Sequence, residues 1–224
     1  GGSGSRKLNL LEVGIGPQGY ARGFHLYLEY LGEGRLEYHA LEFQDQRMAI
    51  WDNPAVLKRH KEYLLKNIVW GDQNDPKALA EATGRWGPFD MIIDDGSHMV
   101  HHQMNTFYHC FLTSLSPGGT YIIEDLQTSF HPGWGGTVPM QRARLTAVAM
   151  VQDIIAALSF HWWDHPLYNS SLGGTNTYGQ QIDNTTFRLH AEVMAWVQAV
   201  DCDREICAVR KRLAPLIHDV HHKM

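Results

Sequence analysis

Cysteine is scarce in this 224-residue sequence, with Cys110, Cys202 and Cys207 the only three. The count is odd and no CxxC spacing occurs, which suits free thiols in a reducing compartment better than a disulfide framework. No apolar run approaches the roughly 20 residues that a membrane span needs, and no basic-then-apolar leader opens the chain. A cytoplasmic location without a membrane partner is therefore expected. Long Lys/Arg runs are missing as well, and the net charge is -5, so the electrostatic footprint of a nucleic-acid binder is lacking. Internal repeats are absent. What remains is a small molecule as the expected partner, with a homo-oligomer compatible.

At 44% hydrophobic residues, the chain has enough apolar side chain for one domain with a substantial core. Residues 1–7 open on GGSGS, a flexible-linker composition, and are set aside as a linker remnant; a single domain is expected over 8–224. Short apolar runs then alternate with helix-period segments. Strands are predicted at Leu8–Val13, Leu36–Phe43, Asn67–Trp70 and Phe89–Asp94, and a fifth at TYIIED after a SPGG stop (Ser116–Gly119). Tyr20, Phe24, Tyr27, Leu28 and Leu31 are spaced for one helical face, as are Val100, Met104, Phe107, Phe111 and Leu115. Serial β/α units imply a doubly wound, largely parallel sheet. Further on, a helix is predicted over Leu145–Leu158, a hairpin over Phe187–Val197 turning near Ala191 and Glu192, and a closing amphipathic helix around Ile206–His218.

The stretch LLEVGIGPQG (Leu10–Gly19) fits two templates at the first strand's end. Gly14, Gly16 and Gly19 spell the GxGxxG of a nicotinamide loop, while Glu12 with Gly14 and Gly16 spells the ExGxG of an S-adenosylmethionine (SAM) site. Glu42, at the end of the second strand, serves the ribose of either cofactor. The later strand ends discriminate. IIDDGSH and IIED place carboxylates there for which a dehydrogenase has no need, and converging carboxylates suit a hard divalent cation. SAM is favoured on that ground.

GDQNDP (Gly71–Pro76), FDMIIDDGSHMVHHQMNTF (Phe89–Phe107) and PGGTYIIEDLQTSFHPGWGG (Pro117–Gly136) resemble the metal-dependent O-methyltransferases that act on sugars of macrolide and related natural products. The cephalosporin hydroxylase group is a more distant likeness. The resemblance implies a Rossmann-like class I methyltransferase fold, an α/β sheet of seven mostly parallel strands with the last one antiparallel. It also implies Asp95, Glu124 and Asp125 as ligands of Mg²⁺ or another divalent ion, and His98 as general base. Asp72 and Gln73, following Gly71, would lie against adenosine, with Asp94 near the methionine portion of SAM. The expected reaction is methyl transfer to a hydroxyl of a glycoside, polyol or other natural product.

The chemistry also stands without the family. A divalent cation lowers the pKa of an aliphatic hydroxyl and a nearby base takes the proton. His98 follows Asp95 by three residues on a strand-to-helix turn, so base and ligand share a cavity. HPGWGG follows the carboxylate strand and is placed as a lid, making Gln127, His131 and Trp134 the candidate substrate-side residues. Other readings stay open: Asp94 as a helix cap, Glu124 and Asp125 as a solvated pair, and His98, His101 and His102 as a zinc face without HExxH or cysteine support. His101, His102 and His109 are expected at the surface or in helix packing. A metal-dependent hydroxylase, a pericyclase-like enzyme that keeps its methyl, and a non-catalytic SAM-binding subunit are the alternative functions.

Overall fold

The computed structural model describes residues 6–16, 21–137, 146–159 and 192–216. Seven strands form one sheet: β1 (Leu8–Val13), β2 (Leu36–Glu42), β3 (Ile68–Trp70), β4 (Phe89–Asp94), β5 (Leu115–Ile123), β6 (Val197–Asp203) and β7 (Ile206–Lys211). Their spatial order is β3-β2-β1-β4-β5-β7-β6. The first five are mutually parallel, while β7 runs antiparallel to both β5 and β6. This is the expected class I methyltransferase sheet with its reversed last strand.

The helices are α1 (Arg22–Leu31), α2 (Arg47–Asp52), α3 (Lys58–Lys66), α4 (Pro76–Trp86), α5 (Val100–Thr113) and α6 (Ala147–Ser159). Local chemistry sets several ends. Asp75 caps α4 by accepting the Lys77 N–H, with Pro76 in the first turn where no N–H is needed. Two apolar cores result, because a doubly wound sheet buries both faces. Phe89, Phe107, Phe111 and Tyr121 anchor the larger one, and Phe24, Tyr38 and Ile50 the smaller. No helix among the described residues is long and apolar enough to cross a membrane.

Several expectations need correction. SPGG does not stop α5; it lies inside β5, where the pairing with β4 slips between Phe89 and Met91. Gly118 has φ +82°, and a Cβ on Gly119 would stand 2.9 Å from the Asp90 carbonyl oxygen, so the glycines shape a bulge. The predicted Phe187–Val197 hairpin lies outside the described residues as far as 191. Residues 192–196 are helical, which removes a turn at Glu192. The closing helix is replaced by β7, whose inward residues Cys207, Val209 and Lys211 alternate with outward ones. A buried lysine at an inward position hid that alternation.

The free-thiol expectation is corrected too. Cys202 and Cys207 face each other across β6 and β7, with Arg204 and Glu205 forming the turn, and are joined by a disulfide. Direct cross-strand pairing supplies the proximity that sequence spacing does not reveal. Cys110 is free and buried.

Candidate active site

The order of strands changes direction at β1, which has β2 on one side and β4 on the other. Ligands of doubly wound sheets sit outside the carboxyl ends of strands at such a switch point. A cavity of about 550 Å³ opens there, bordered by Gly14, Gly16, Glu42, Asp72, Asp95 and His98 among others. Its size falls within the range of small-molecule sites.

Close approach explains the glycines. Gly14 has φ +86°, and a Cβ there would lie 2.2 Å from the Asp95 carbonyl oxygen; any side chain would push the ends of β1 and β4 apart. Gly16 has φ +78° and faces open space, so its backbone is left bare beside the cavity. Gly71 needs its missing side chain for packing, since a Cβ would stand 2.7 Å from that of Ala78. Gly19 lies outside the described residues.

Glu42 braces the loop. Its carboxylate accepts the Ile15 N–H at 2.9 Å and the Gln44 N–H at 3.1 Å, leaving further lone pairs for a ligand on the cavity wall. Asp72 also borders the cavity and accepts the Asn74 N–H at 2.8 Å in a local turn. Glu12 sits behind the wall instead. It is 4% exposed, hydrogen-bonded by the hydroxyls of Tyr38 and Tyr27, and burial pushes it up to about 7 against those bonds.

Asp94 is buried as well, accepting from Gln73 Nε2 and the Tyr121 hydroxyl, each at 3.1 Å; burial pushes it up to about 7. It does not cap α5, whose N-cap is Met99 without a side-chain bond. Gln73 is held at both ends. Its Oε1 accepts the Ser97 N–H at 2.6 Å, while Nε2 reaches Asp94 and Thr106. These two residues therefore anchor the turn after β4 from beneath the cavity.

Three side chains converge above that turn. Asp95, His98 and Asp125 each offer a ligand atom within 4.8 Å of the others, and His98 Nε2 lies 3.2 Å from Asp125 Oδ2. Both His98 (φ +57°) and Asp125 (φ +53°) adopt the left-handed backbone region that non-glycine residues rarely occupy. Such conformations cost about 1–3 kcal/mol each and cluster at functional sites. Burial, then the Asp125 charge, raises Asp95 to about 6. Glu124 is outside this convergence but electrostatically part of it: burial, Asp95 and Asp125 raise it, and His98 opposes them. A concentration of carboxylates that resist ionisation is one that a cation would relieve. Hard oxygen donors of this kind fit Mg²⁺.

Beyond Asp125 the chain coils into two short 3-10 turns, Leu126–Phe130 and Pro132–Trp134. Gln127 Nε2 donates to Asp125 Oδ1 at 2.8 Å, which makes it a brace for the carboxylate. The Trp134 ring, 41% exposed, stands 5.9 Å from that of His98, and His131 is exposed beside it. Gly136 serves packing, since a Cβ there would meet the Thr128 and Ser129 carbonyl oxygens at 2.4 Å, Gly135 supplies a φ of +81°, and Gly133 faces open space.

Sequence reasoning missed several wall residues. Phe43 and Gln46 border the cavity, and Gln46 Nε2 donates to the Gly16 carbonyl at 2.9 Å. Gly96 leaves room for Gln73, whose Oε1 a Cβ would approach to 2.0 Å; the Asp-Gly pair in IIDDGSH was the available turn signal. Gln103 Nε2 donates to the Glu124 carbonyl at 2.8 Å from within α5. Ser97 and His102 also line the cavity, so His102 is more than helix packing.

No protein-family model matches the chain. Demethylmacrocin O-methyltransferase of Streptomyces fradiae is 33% identical over 158 residues, covering 69% of this chain and 36% of that protein. Mycinamicin VI 2''-O-methyltransferase of Micromonospora griseorubida is 30% identical over 158 residues, with the same shares. Among solved structures, the MycE methyltransferase from the mycinamycin biosynthetic pathway, in complex with Mg, SAH and mycinamycin VI, superposes with TM-score 0.68. Its sequence identity is 25%, over 92% of this chain and 45% of that one. The chain thus spans about a third of the length of these curated relatives and under half of the solved one. In sequence and in fold, the chain is similar to these O-methyltransferases and is built on the class I methyltransferase sheet.

Proposed function

We propose that the chain carries the catalytic machinery of a SAM-dependent, divalent-cation-dependent O-methyltransferase whose acceptor is a hydroxyl of a small glycosylated natural product. One observation carries the reading: Asp95, His98 and Asp125 converge within 4.8 Å beside the switch-point cavity. Relatives named as O-methyltransferases of demethylmacrocin, mycinamicin VI, a rhamnosyl tetracenomycin-C and L-olivosyl-oleandolide support the acceptor class.

When bound, Mg²⁺ supplies the charge that acidifies a hydroxyl, and SAM supplies an electrophilic methyl group. Asp95 and Asp125 would hold the cation, with Glu124 adding charge alongside. Glu42 would accept from the ribose hydroxyls, with Gly14 and Gly16 leaving their backbone bare toward the cofactor and Asp72 toward its adenosine. His98 takes the acceptor proton at a ring nitrogen, its imidazole oriented by Asp125. Trp134 and His131 would cover the acceptor and exclude water from the proton transfer.

The same geometry favours a second assignment for one residue. His98 is within ligand reach of both carboxylates, so it would serve as a third ligand in a metal-dependent hydroxylase, where soft and borderline metals accept imidazole. The metal preference separates the two. Calorimetry tests the cofactor: SAM and S-adenosylhomocysteine should bind, and NAD(H) and NADP(H) should not. Nicotinamide affinity equal to that for SAM would overturn the proposal.

A further inference from the structure

Polar side chains along one wall of the cavity are spent on each other, and the order in which they are spent singles out His102. Both ends of the Gln73 amide are engaged, by Ser97 on one side and by Asp94 and Thr106 on the other. Although Gln73 borders the cavity, it has little left for a ligand. What it does is hold Ser97.

The Ser97 hydroxyl accepts the Met99 N–H at 3.3 Å and stands 2.7 Å from Nδ1 of His102. With the Met99 N–H already on the oxygen, the arrangement that also uses the hydroxyl proton has Ser97 donating to Nδ1, which leaves the ring proton on Nε2. Burial, aided by His101, pulls His102 below the usual histidine range against the charge of Asp72, in keeping with a neutral ring.

Position decides which part of a ligand that N–H meets. Asp72, at the end of β3, is the carboxylate whose charge acts on His102. Asn105 Nδ2 donates to Asn74 Oδ1 at 3.1 Å, tying the same stretch of α5 to the loop after β3. His102 thus belongs to the Asp72 side of the cavity. Resting on the cofactor reading above, we propose that His102 is a cofactor-recognition residue, whose Nε2–H donates to an acceptor on the nucleoside portion of SAM in the tautomer that Ser97 fixes.

Two substitutions of opposite reach test this by calorimetry with SAM, S-adenosylhomocysteine and 5′-methylthioadenosine, which lacks the methionine portion. His102→Asn keeps a partner for Ser97 but ends short of the ε position, whereas His102→Gln places an amide N–H near it. His102→Asn should weaken all three ligands by the same factor, about three- to tenfold for one lost hydrogen bond. His102→Gln should stay within about twofold of wild type. Equal affinities for wild type and His102→Asn would overturn the proposal, as would a loss confined to SAM and S-adenosylhomocysteine, which puts the contact at the methionine end. Equal losses in both variants with lowered melting temperatures would make the residue structural and overturn it too. Wild-type protein that binds none of the three overturns the cofactor reading itself, so the two failures are distinguishable.

Discussion

Asp125 is asked to do two things: hold charge for a cation and orient the His98 ring 3.2 Å away. Substitutions separate them. Asp125→Asn keeps an oxygen but loses the charge that binds a hard cation, so metal affinity and turnover should both collapse while SAM affinity changes little. His98→Ala should retain the metal and lose on the order of a hundredfold or more in turnover, the usual contribution of a general base. Metal titrations and steady-state rates on both variants check this; loss of metal in His98→Ala would make the histidine a ligand. Protons compete at the same place. Burial, then Asp125, raises Asp95 to about 6, and burial, then Asp95 and Asp125, raises Glu124, and a carboxylate must be ionised to ligate. Mg²⁺ affinity should therefore rise as pH increases through about 6 and fall on the acid side, measured by calorimetry from pH 5 to 8. A flat profile would remove Asp95 from the ligand set.

Elements that bury both faces were legible in the sequence, and those that rely on distant partners were not. LNLLEV and FDMIID read as strands because parallel strands are continuous apolar runs, and β4 has the predicted ends. The carboxylates were legible for a related reason: residues at the ends of successive parallel strands share one edge of the sheet. The braces beneath them were not. Gln73, Ser97 and Gln103 act across long sequence separations, and no local pattern marks such contacts. β7 failed for a specific physical reason. Lys211 is 4% exposed, and its ammonium group donates to the carbonyl oxygens of Phe111, Leu112 and Leu115 at 2.7, 3.2 and 2.8 Å. It closes the end of α5, where a cation is favoured. Lys211→Met should leave those carbonyls unpaired and destabilise the fold by about 1–3 kcal/mol, read by urea denaturation. A change below about 0.5 kcal/mol, the range of ordinary surface substitutions, would deny the lysine that role.

At the scale of the whole molecule, one sheet edge gathers the residues of the candidate site. The glycine turn after β1 and Glu42 after β2 meet Asp72 after β3, and the Asp95–His98 turn after β4 meets Glu124 and Asp125 after β5. Helices on both faces hold that edge in register, and β7 locks β5 from the far side, its turn accepting the Leu126 N–H at the Glu205 carbonyl, 2.8 Å away. The fold thereby brings the switch-point cavity and the carboxylate cluster together at one edge of the sheet. The central claim is that the two act together in methyl transfer. The most direct measurement is transfer of labelled methyl from SAM to a panel of macrolide glycosides, run with Mg²⁺, with a chelator, and with Mg²⁺ restored. The account predicts a methylated hydroxyl product that disappears with chelation and returns with the ion. Product formation that is indifferent to the chelator, or tight SAM binding with no transfer to any glycoside, would contradict it.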